Sequence, residues 1–206
     1  MSKLRDARHR HDVFFKKARE EGFAARSVYK LEEIDRRVKV LRAGARVLDL
    51  GCRPGSWLQY AVKIVGAHGL VVGIDRDPLP APIRGARVIQ GDIYKVTDAE
   101  LLGDAKAFDV VLSDMAPDTT GIRATDQARS AALFEEALGR AERLLAPGGA
   151  FVGKIFQGPD LPAIRKRMAA RFAQVRIVKP ESSRAQSIEI FLAGSGYTPP
   201  LTTPPT

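Results

Sequence analysis

Short apolar runs alternate with amphipathic stretches along most of the 206 residues. The apolar runs are rich in β-branched residues and have the length of strands. Seven of them predict strands, at residues 47–50, 70–75, 86–89, 108–113, 150–156, 174–180 and 187–193. Apolar positions at helical spacing lie between them, at residues 57–65, 124–145 and 162–172. Strands that alternate with helices predict an α/β protein with right-handed crossovers and a doubly wound, mostly parallel sheet.

The last two predicted strands have a short connection, residues 181–186. This segment cannot hold a helical crossover, so we expect the two strands to pair antiparallel at one edge of the sheet. Pro147, Gly148 and Gly149 are expected to end the long helix before the fifth strand begins. The sequence therefore predicts a sheet of seven strands in which only the last pairing departs from the parallel pattern.

The residues before the first strand predict two further helices. Residues 3–20 are dense in charge and predict a basic helix, while residues 26–35 place Val28, Leu31 and Ile34 on one face of a second helix. We expect basic N-terminal helices at residues 1–45 that pack on a single core domain at residues 46–195. A disordered Pro/Thr-rich tail is expected at residues 196–206.

Composition and charge narrow the class of protein. No run of about 18 apolar residues is present, and the charged N-terminus does not resemble a signal peptide, so we expect a cytoplasmic protein without a membrane span. The single cysteine, Cys52, rules out an internal disulfide. A zinc site is not expected either, because the chain has only this cysteine and three scattered histidines as preferred ligands.

The net charge of +9 is unevenly distributed. Residues 1–46 carry a net +7 and residues 161–190 a net +5, whereas residues 47–160 carry a net −3. Solubility alone could account for such charge, but its clustering into two blocks around an acidic centre favours binding of a polyanion such as nucleic acid.

Residues 47–57, VLDLGCRPGSW, predict the ligand-binding corner of the sheet, a buried strand followed by a glycine turn and a helix start. Gly51 and Gly55 allow the backbone to approach a ligand closely. A phosphate-binding P-loop requires a lysine after the last glycine, and a dinucleotide fold requires GxGxxG; the chain has neither. The corner therefore suits a nucleoside without phosphates.

Three aspartates at strand ends indicate which nucleoside. Asp75 ends the second strand and can accept hydrogen bonds from ribose hydroxyls, and Asp92 follows the third strand and can accept from an adenine amine. Asp49 in the first strand can attract a cationic amino-acid group. Together these features describe S-adenosylmethionine, with simple loop capping by Asp75 and Asp92 as the alternative.

Four further charged residues are candidates for chemistry. Asp114 follows the fourth strand, and Lys154 lies inside the apolar fifth strand, where burial favours the neutral amine that can accept a proton. Glu189 lies between two isoleucines in the last strand, with an edge position facing solvent as the alternative. Lys30 lies beside the apolar stripe of its helix, where an ordinary solvated lysine is the alternative.

These four residues, with their surroundings, resemble the K–D–K–E tetrad of the FtsJ/RlmE family of RNA ribose 2′-O-methyltransferases. The resemblance runs from about residue 20 to residue 195 through the strings SVYKLEEID, VLDLGCRPGSW, SDMAPDTTG, LAPGGAFVGKIFQG and KPESSRAQSIEIF. It implies a Rossmann-like methyltransferase fold and a catalytic role for Lys30, Asp114, Lys154 and Glu189. It also implies S-adenosylmethionine as cofactor, with contacts at Gly51, Gly55, Trp57, Asp75, Asp92 and Asp114.

The resemblance further implies methylation of a uridine ribose in large-subunit ribosomal RNA within the 50S subunit, by a monomer. Neutral Lys154 would remove the 2′-hydroxyl proton, Asp114 would hold Lys154, and Lys30 and Glu189 would position the ribose. Methylation of tRNA, a non-catalytic RNA-binding assembly factor on the same fold and, less favoured, a nicotinamide dehydrogenase are the alternatives.

Two parts of the chain need separate mention. The family commonly has GAAPGGW at the corner, so Cys52, Arg53 and Ser56 depart from its pattern, and Asp118 stands where asparagine is common.

The basic blocks are expected to contact RNA phosphates without reading sequence. The candidates are Lys16, Lys17, Arg19, Arg26, Arg165, Lys166, Arg167, Arg171 and Arg184.

Overall fold

The computed structural model describes residues 13–183 and 187–200. Within them a seven-stranded sheet is covered by helices on both faces. The helices are α1 (13–20), α2 (Val28–Val38), α3 (Ser56–Val65), α4 (Asp98–Leu102), α5 (Arg123–Leu144) and α6 (Leu161–Ala169). The strands are β1 (Arg46–Leu50), β2 (Leu70–Asp75), β3 (Ala86–Gln90), β4 (Phe108–Ser113), β5 (Leu145–Phe156), β6 (Phe172–Val178) and β7 (Glu189–Tyr197). No helix in the described ranges is long and apolar enough to cross a membrane.

The strand order β3-β2-β1-β4-β5-β7-β6 confirms the predicted fold class. Strands β1 to β5 are parallel, and β7 is antiparallel to both β5 and β6, as the short connection between β6 and β7 requires. The order reverses between β1 and β4, and ligands of such sheets bind outside the carboxyl ends of the strands at this switch point. The fold therefore directs attention to the carboxyl ends of β1 and β4.

Alternation along the strands divides the core into two layers. Leu48, Phe151 and Ile190 belong to the layer that packs against α5, whereas Val47, Val152 and Phe191 belong to the layer that packs against α2 and α3. Lys154 lies two residues beyond Val152 and therefore faces the α2 side of the sheet. Strand alternation thus directs this lysine toward the helix that carries Lys30.

Some predicted boundaries were wrong. The fifth strand begins at Leu145 rather than 150, because Leu145 pairs with Phe108 and the Pro-Gly-Gly segment then forms an irregularity within the strand. The sixth helix ends at Ala169 rather than 172, and Phe172 begins β6. The last strand extends to Tyr197, so Gly196 and Tyr197 belong to the sheet and not to the predicted tail.

The Phe172 error has a clear physical cause. Ile164, Met168 and Phe172 follow one another at intervals of four residues, which is helical spacing, and all three are buried. The Phe172 ring, however, packs on Tyr197 and over Gly194 in the neighbouring strand. Burial against a strand and burial against a helix give the same sequence signal at this position.

A buried arginine fixes the side of the sheet that carries β3 and α4. The Arg140 guanidinium donates to Asp98 Oδ1 at 2.6 Å, to the Ile93 carbonyl at 2.6 Å and to Glu136 Oε1 at 3.2 Å. Arg143, one turn along α5, binds the other oxygen of Asp98 at 2.7 Å but is half exposed. Arg140 therefore connects α5 both to the start of α4 and to the loop after β3.

Replacement of this arginine should destabilise the fold. Arg140→Leu leaves a buried carbonyl and part of the Asp98 carboxylate without a donor, and we expect a loss of about 2–4 kcal/mol in the free energy of unfolding. The matched control is Arg143→Ala, which removes a mostly exposed ion pair and should cost less than about 1 kcal/mol. Urea denaturation measures both, and equal losses would contradict the assigned role of Arg140.

Candidate functional site

A cavity of about 430 Å³ opens at the carboxyl ends of β1, β2 and β4. It is lined by four carboxylates, from Asp75, Asp92, Asp114 and Asp118, and by two arginines, at positions 53 and 76, which leaves a net negative charge. Gly51 forms part of its floor. The cavity therefore lies at the switch point of the sheet and favours a ligand that carries positive charge.

The turn that ends β1 brings the backbone close to this cavity. Gly51 has φ +76°, and a Cβ there would lie 2.4 Å from Met115 Cγ, so glycine is required by both conformation and space. The amides of Gly51 and Cys52 both donate to the Ile74 carbonyl, which ties the turn to β2. The Cys52 side chain is buried, and burial raises the pKa of its thiol. This thiol is therefore part of the core.

Two of the predicted cofactor contacts at the cavity also cap loops. Asp75 accepts from the amides of Arg53 at 2.9 Å and Asp77 at 3.1 Å. Asp92 accepts from the Tyr94 amide at 3.0 Å. Each carboxylate oxygen can accept more than one hydrogen bond, so capping and ligand binding are compatible here.

Asp49 lies in β1 with its carboxyl group buried at 1% exposure. Neither oxygen has a hydrogen-bond partner among the described residues. Burial raises the pKa of Asp49 well above its usual range, and the Asp114 and Asp75 carboxylates raise it further. A buried, charged carboxylate without a partner is costly, so the protonated form of Asp49 is favoured at this position.

Trp57 and Gly55 are not among the described residues that line the cavity, although the sequence predicted both as cofactor contacts. The Trp57 side chain is 3% exposed and its Nε1 donates to the Ser27 carbonyl at 2.9 Å. Its ring lies 5.8 Å from that of Phe191. Gly55, at φ +109°, faces Ile83 and precedes α3. The structure thus places Trp57 between α2 and β7.

The first of two lysine–carboxylate pairs lies beside the cavity. Lys154 Nζ is 2.9 Å from Asp114 Oδ1 and also contacts the Asp114 carbonyl. The Lys154 side chain is 7% exposed. The sequence indicated apolar surroundings for Lys154, but the turn after β4 places a carboxylate directly against it. This contact depends on the β4–β5 pairing and cannot be read from the apolar strand alone.

The second pair joins α2 to β7. Lys30 Nζ lies 2.6 Å from Glu189 Oε1, and both side chains are less than 15% exposed. Ser183 Oγ donates to the same oxygen at 2.7 Å, a contact that sequence reasoning missed because it depends on the path of the loop before β7. Burial alone would raise the pKa of Glu189, but Lys30, the Ser183 hydroxyl and Lys154 hold it below its usual range.

The four tetrad residues therefore meet on the α2 side of the sheet. Pairing of β5 with β7 places Lys154 opposite Phe191 and Phe156 opposite Glu189, so Lys154 and Glu189 share one face. Lys30 reaches them because Leu31 and Ile34, both fully buried, hold α2 against the core. No group of three or more His, Cys, Asp or Glu side chains in the described ranges could hold a metal ion.

The predicted RNA contacts are of two kinds. Lys16, Arg19, Arg165 and Lys166 are exposed, and Arg26 and Arg171 are partly buried. Lys17 and Arg167 are also exposed, and they lie 3.7 Å from Glu21 and 2.7 Å from Glu142, respectively. Arg184 lies outside the described residues.

The unpartnered Asp49 carboxyl should make stability depend on pH in an unusual direction. Its folded pKa is raised, so its ionisation costs stability as pH rises above about 3.8, the ordinary value. Asp49→Asn removes this titration. The variant should therefore gain stability relative to the wild type as pH rises from 4 to 7 in a series of urea denaturations.

Asp126→Asn is the matched control with the opposite sign. The Asp126 carboxylate accepts from Thr120 and Gly121, and the backbone hydrogen bond from Thr120 is the main cause of its lowered pKa. Its contribution is present above the ordinary value of about 3.8 and is lost as pH falls through the lowered folded pKa, so this variant should be less stable than the wild type by a nearly constant amount between pH 4 and 7, and the difference should shrink below pH 4. Parallel curves for wild type and Asp49→Asn would contradict the assignment for Asp49.

Comparison with known proteins adds independent evidence. The family model described as FtsJ-like methyltransferase matches residues 23–197. The chain is 52% identical over 184 residues to the ribosomal RNA large subunit methyltransferase E of Desulfatibacillum aliphaticivorans, which covers 89% of both chains. It is also 52% identical over 186 residues to the protein of that name from Sorangium cellulosum, covering 90% of this chain and 87% of the relative.

Solved structures agree with this assignment. A protein described as a ribosomal RNA methyltransferase from Plasmodium falciparum superposes with a TM-score of 0.76 at 28% identity, over 85% of this chain and 98% of that one. A protein described as an rRNA methylase from Clostridium thermocellum shares the fold, with a TM-score of 0.52 at 18% identity over 80% of this chain and 96% of that one. The chain belongs to the FtsJ-like methyltransferase family.

Proposed function

We propose that this protein transfers a methyl group from S-adenosylmethionine to a ribose 2′-hydroxyl of large-subunit ribosomal RNA. The observation that carries the proposal is the pair of buried ion pairs, Lys154–Asp114 and Lys30–Glu189, beside an acidic cavity. The names of the relatives support the choice of ribosomal RNA. We further propose the 50S subunit as target, for a monomer that acts in the cytoplasm.

The cavity suits S-adenosylmethionine in its charge and its backbone. The cofactor carries a sulfonium and an amino group, and a cavity lined by four aspartates against two arginines favours that positive charge. Asp75 and Asp92 line the cavity and retain acceptor capacity for ribose hydroxyls and an adenine amine. Gly51 leaves the floor open. When bound, the cofactor supplies an activated methyl group.

Lys154 is the residue best placed to accept the 2′-hydroxyl proton. Its amine is held by Asp114, which also lines the cavity, so the base and the cofactor pocket share one side chain. Because an ammonium cannot accept a proton, Lys154 acts in its neutral form. Asp114 orients the amine before transfer and stabilises the ammonium that forms afterwards.

Lys30 and Glu189 supply the other wall of the acceptor site. Glu189 is ionised at neutral pH, since its pKa lies below its usual range, so it can accept a hydrogen bond from a ribose hydroxyl. Lys30 compensates the Glu189 charge and can donate to the sugar or the adjacent phosphate. Fixing the acceptor in this way contributes to rate mainly through orientation.

Loss of the Lys154 amine should abolish most of the activity. We expect Lys154→Ala to lower the single-turnover methylation rate at least about 100-fold, the usual contribution of a general base. The control is Lys106→Ala, an exposed lysine just before the amino end of β4, whereas the cavity lies at the carboxyl ends of the strands. A Lys154→Ala rate near that of wild type across pH would contradict the general-base role.

Two basic surfaces flank this site and are proposed to bind RNA. α6 begins within five residues of the end of β5, which carries Lys154, and exposes Arg165 and Lys166. On the other side α1 exposes Lys16 and Arg19, and Phe14 packs on Tyr29, one residue before Lys30. Such side chains contact phosphates and position a folded RNA without reading its bases.

Charge reversal on α6 should weaken RNA binding and its dependence on salt. We expect Arg165→Glu with Lys166→Glu to reduce the slope of log affinity against log salt by about one to two, as loss of one or two phosphate contacts requires. The control of equal charge change is Arg84→Glu with Lys106→Glu, two exposed residues that precede the amino ends of β3 and β4. Filter binding to ribosomal RNA over a salt series measures both, and equal slopes for the two variants would contradict this placement.

A further inference from the structure

Two serine hydroxyls join the start of α2 to the start of α3. Ser27 Oγ and Ser56 Oγ lie 2.8 Å apart, and Ser56 is 2% exposed. Ser27 precedes α2, yet its side chain makes no capping hydrogen bond to that helix. Its hydroxyl therefore connects two helices instead of capping its own, although serine is a preferred capping residue.

The backbone of Ser27 adds a second connection at the same point. Its carbonyl accepts from the Lys30 amide at 3.1 Å and from Trp57 Nε1 at 2.9 Å. One oxygen thus contacts both the first turn of the helix that carries Lys30 and the residue after Ser56. We call Ser27, Ser56 and Trp57 the α2–α3 junction.

The junction touches both halves of the proposed site. Ser56 directly follows Gly55 in the turn that begins at Gly51, where the cavity lies. On the acceptor side, the Trp57 ring packs on Phe191, whose ring centre is 5.9 Å from Lys30 Nζ. A shift between α2 and α3 at this point would change the distance between Lys30 and the cavity.

We propose that Ser27 and Ser56 are positioning residues, which hold the Lys30–Glu189 pair at a fixed distance from the cofactor corner. This inference rests on the proposed function. The two hydroxyls touch neither the cavity nor the tetrad directly. They act through α2: loss of either hydroxyl removes the hydrogen bond between the helices, and loss of the Ser27 hydroxyl also leaves the buried Ser56 without this partner.

The chain offers a direct probe of the junction, because Trp57 is its single tryptophan. The indole N–H gives one resonance whose hydrogen exchange reports opening of this contact. We expect Ser27→Ala or Ser56→Ala to speed that exchange about tenfold, the effect of losing one net hydrogen bond. The double variant should be no worse than either single variant, since both remove the same interaction.

The same variants separate positioning from general loosening. Single-turnover methylation of ribosomal RNA should fall about five- to tenfold, while affinity for S-adenosylhomocysteine changes less than about twofold, because acceptor alignment and not cofactor binding is affected. The control is Tyr60→Phe, which removes another α2–α3 contact, Tyr60 Oη to Asp35 Oδ2 at 3.4 Å, that involves neither the two serines nor a tetrad residue. It should leave both exchange and rate within about twofold of wild type.

The outcomes are distinct. Unchanged indole exchange in the serine variants overturns the proposal, and so does faster exchange with an unchanged methylation rate. An equal effect of Tyr60→Phe also overturns it, because any loosening of the helix pair would then suffice. A wild-type protein that binds S-adenosylhomocysteine but methylates no RNA contradicts the proposed function instead. The junction is then judged by indole exchange alone, where equal exchange in wild type and Ser27→Ala overturns it.

Discussion

The site depends on the pairing of four largely buried charged side chains near the carboxyl ends of the parallel strands. An unpaired buried charge would cost several kcal/mol, so these groups are tolerated only as ion pairs. Lys154 pairs with Asp114 across β4 and β5, and Lys30 pairs with Glu189 across α2 and β7. Each pair joins segments distant in sequence, and their geometry therefore exists only when the sheet is complete and α2 is docked.

The antiparallel insertion of β7 between β5 and β6 makes this arrangement possible. It places Glu189 at the carboxyl end of β5, on the same face as Lys154, and leaves that face open to α2. In a parallel strand at this position, the last residues of the strand and not its first residues would lie at the carboxyl end of β5. The fold thus brings a residue from the start of the last strand to a site otherwise built from strand ends.

Charge is also distributed in a way that separates the two substrates. Four aspartates and two arginines line the cavity, a net negative charge that favours a cationic cofactor, whereas the exposed surfaces of α1 and α6 carry lysine and arginine, which favour RNA. The tetrad lies between these regions. Methyl donor and acceptor are therefore attracted to different parts of the surface and meet at Lys154.

The sequence predicted the fold well because its strands are short, apolar and clearly bounded. Residues 70–75 and 108–113 match β2 and β4 without adjustment, and the antiparallel last pair follows from connection length alone. The packing of Trp57 on Phe191 could not be predicted in this way, because it joins α3 to the last strand and leaves no local pattern in the sequence. Ser183 and Ser56 were missed as contacts because hydrogen bonds between distant segments leave no local pattern.

The central claim is that this site methylates a ribose in large-subunit ribosomal RNA, and one measurement tests it most directly. Purified protein is incubated with labelled S-adenosylmethionine and, in parallel, with 50S subunits or with tRNA, and the modified nucleotide is then mapped. We expect label at a single ribose 2′-oxygen of the large-subunit RNA. Label in tRNA, on a base or in neither RNA would contradict it.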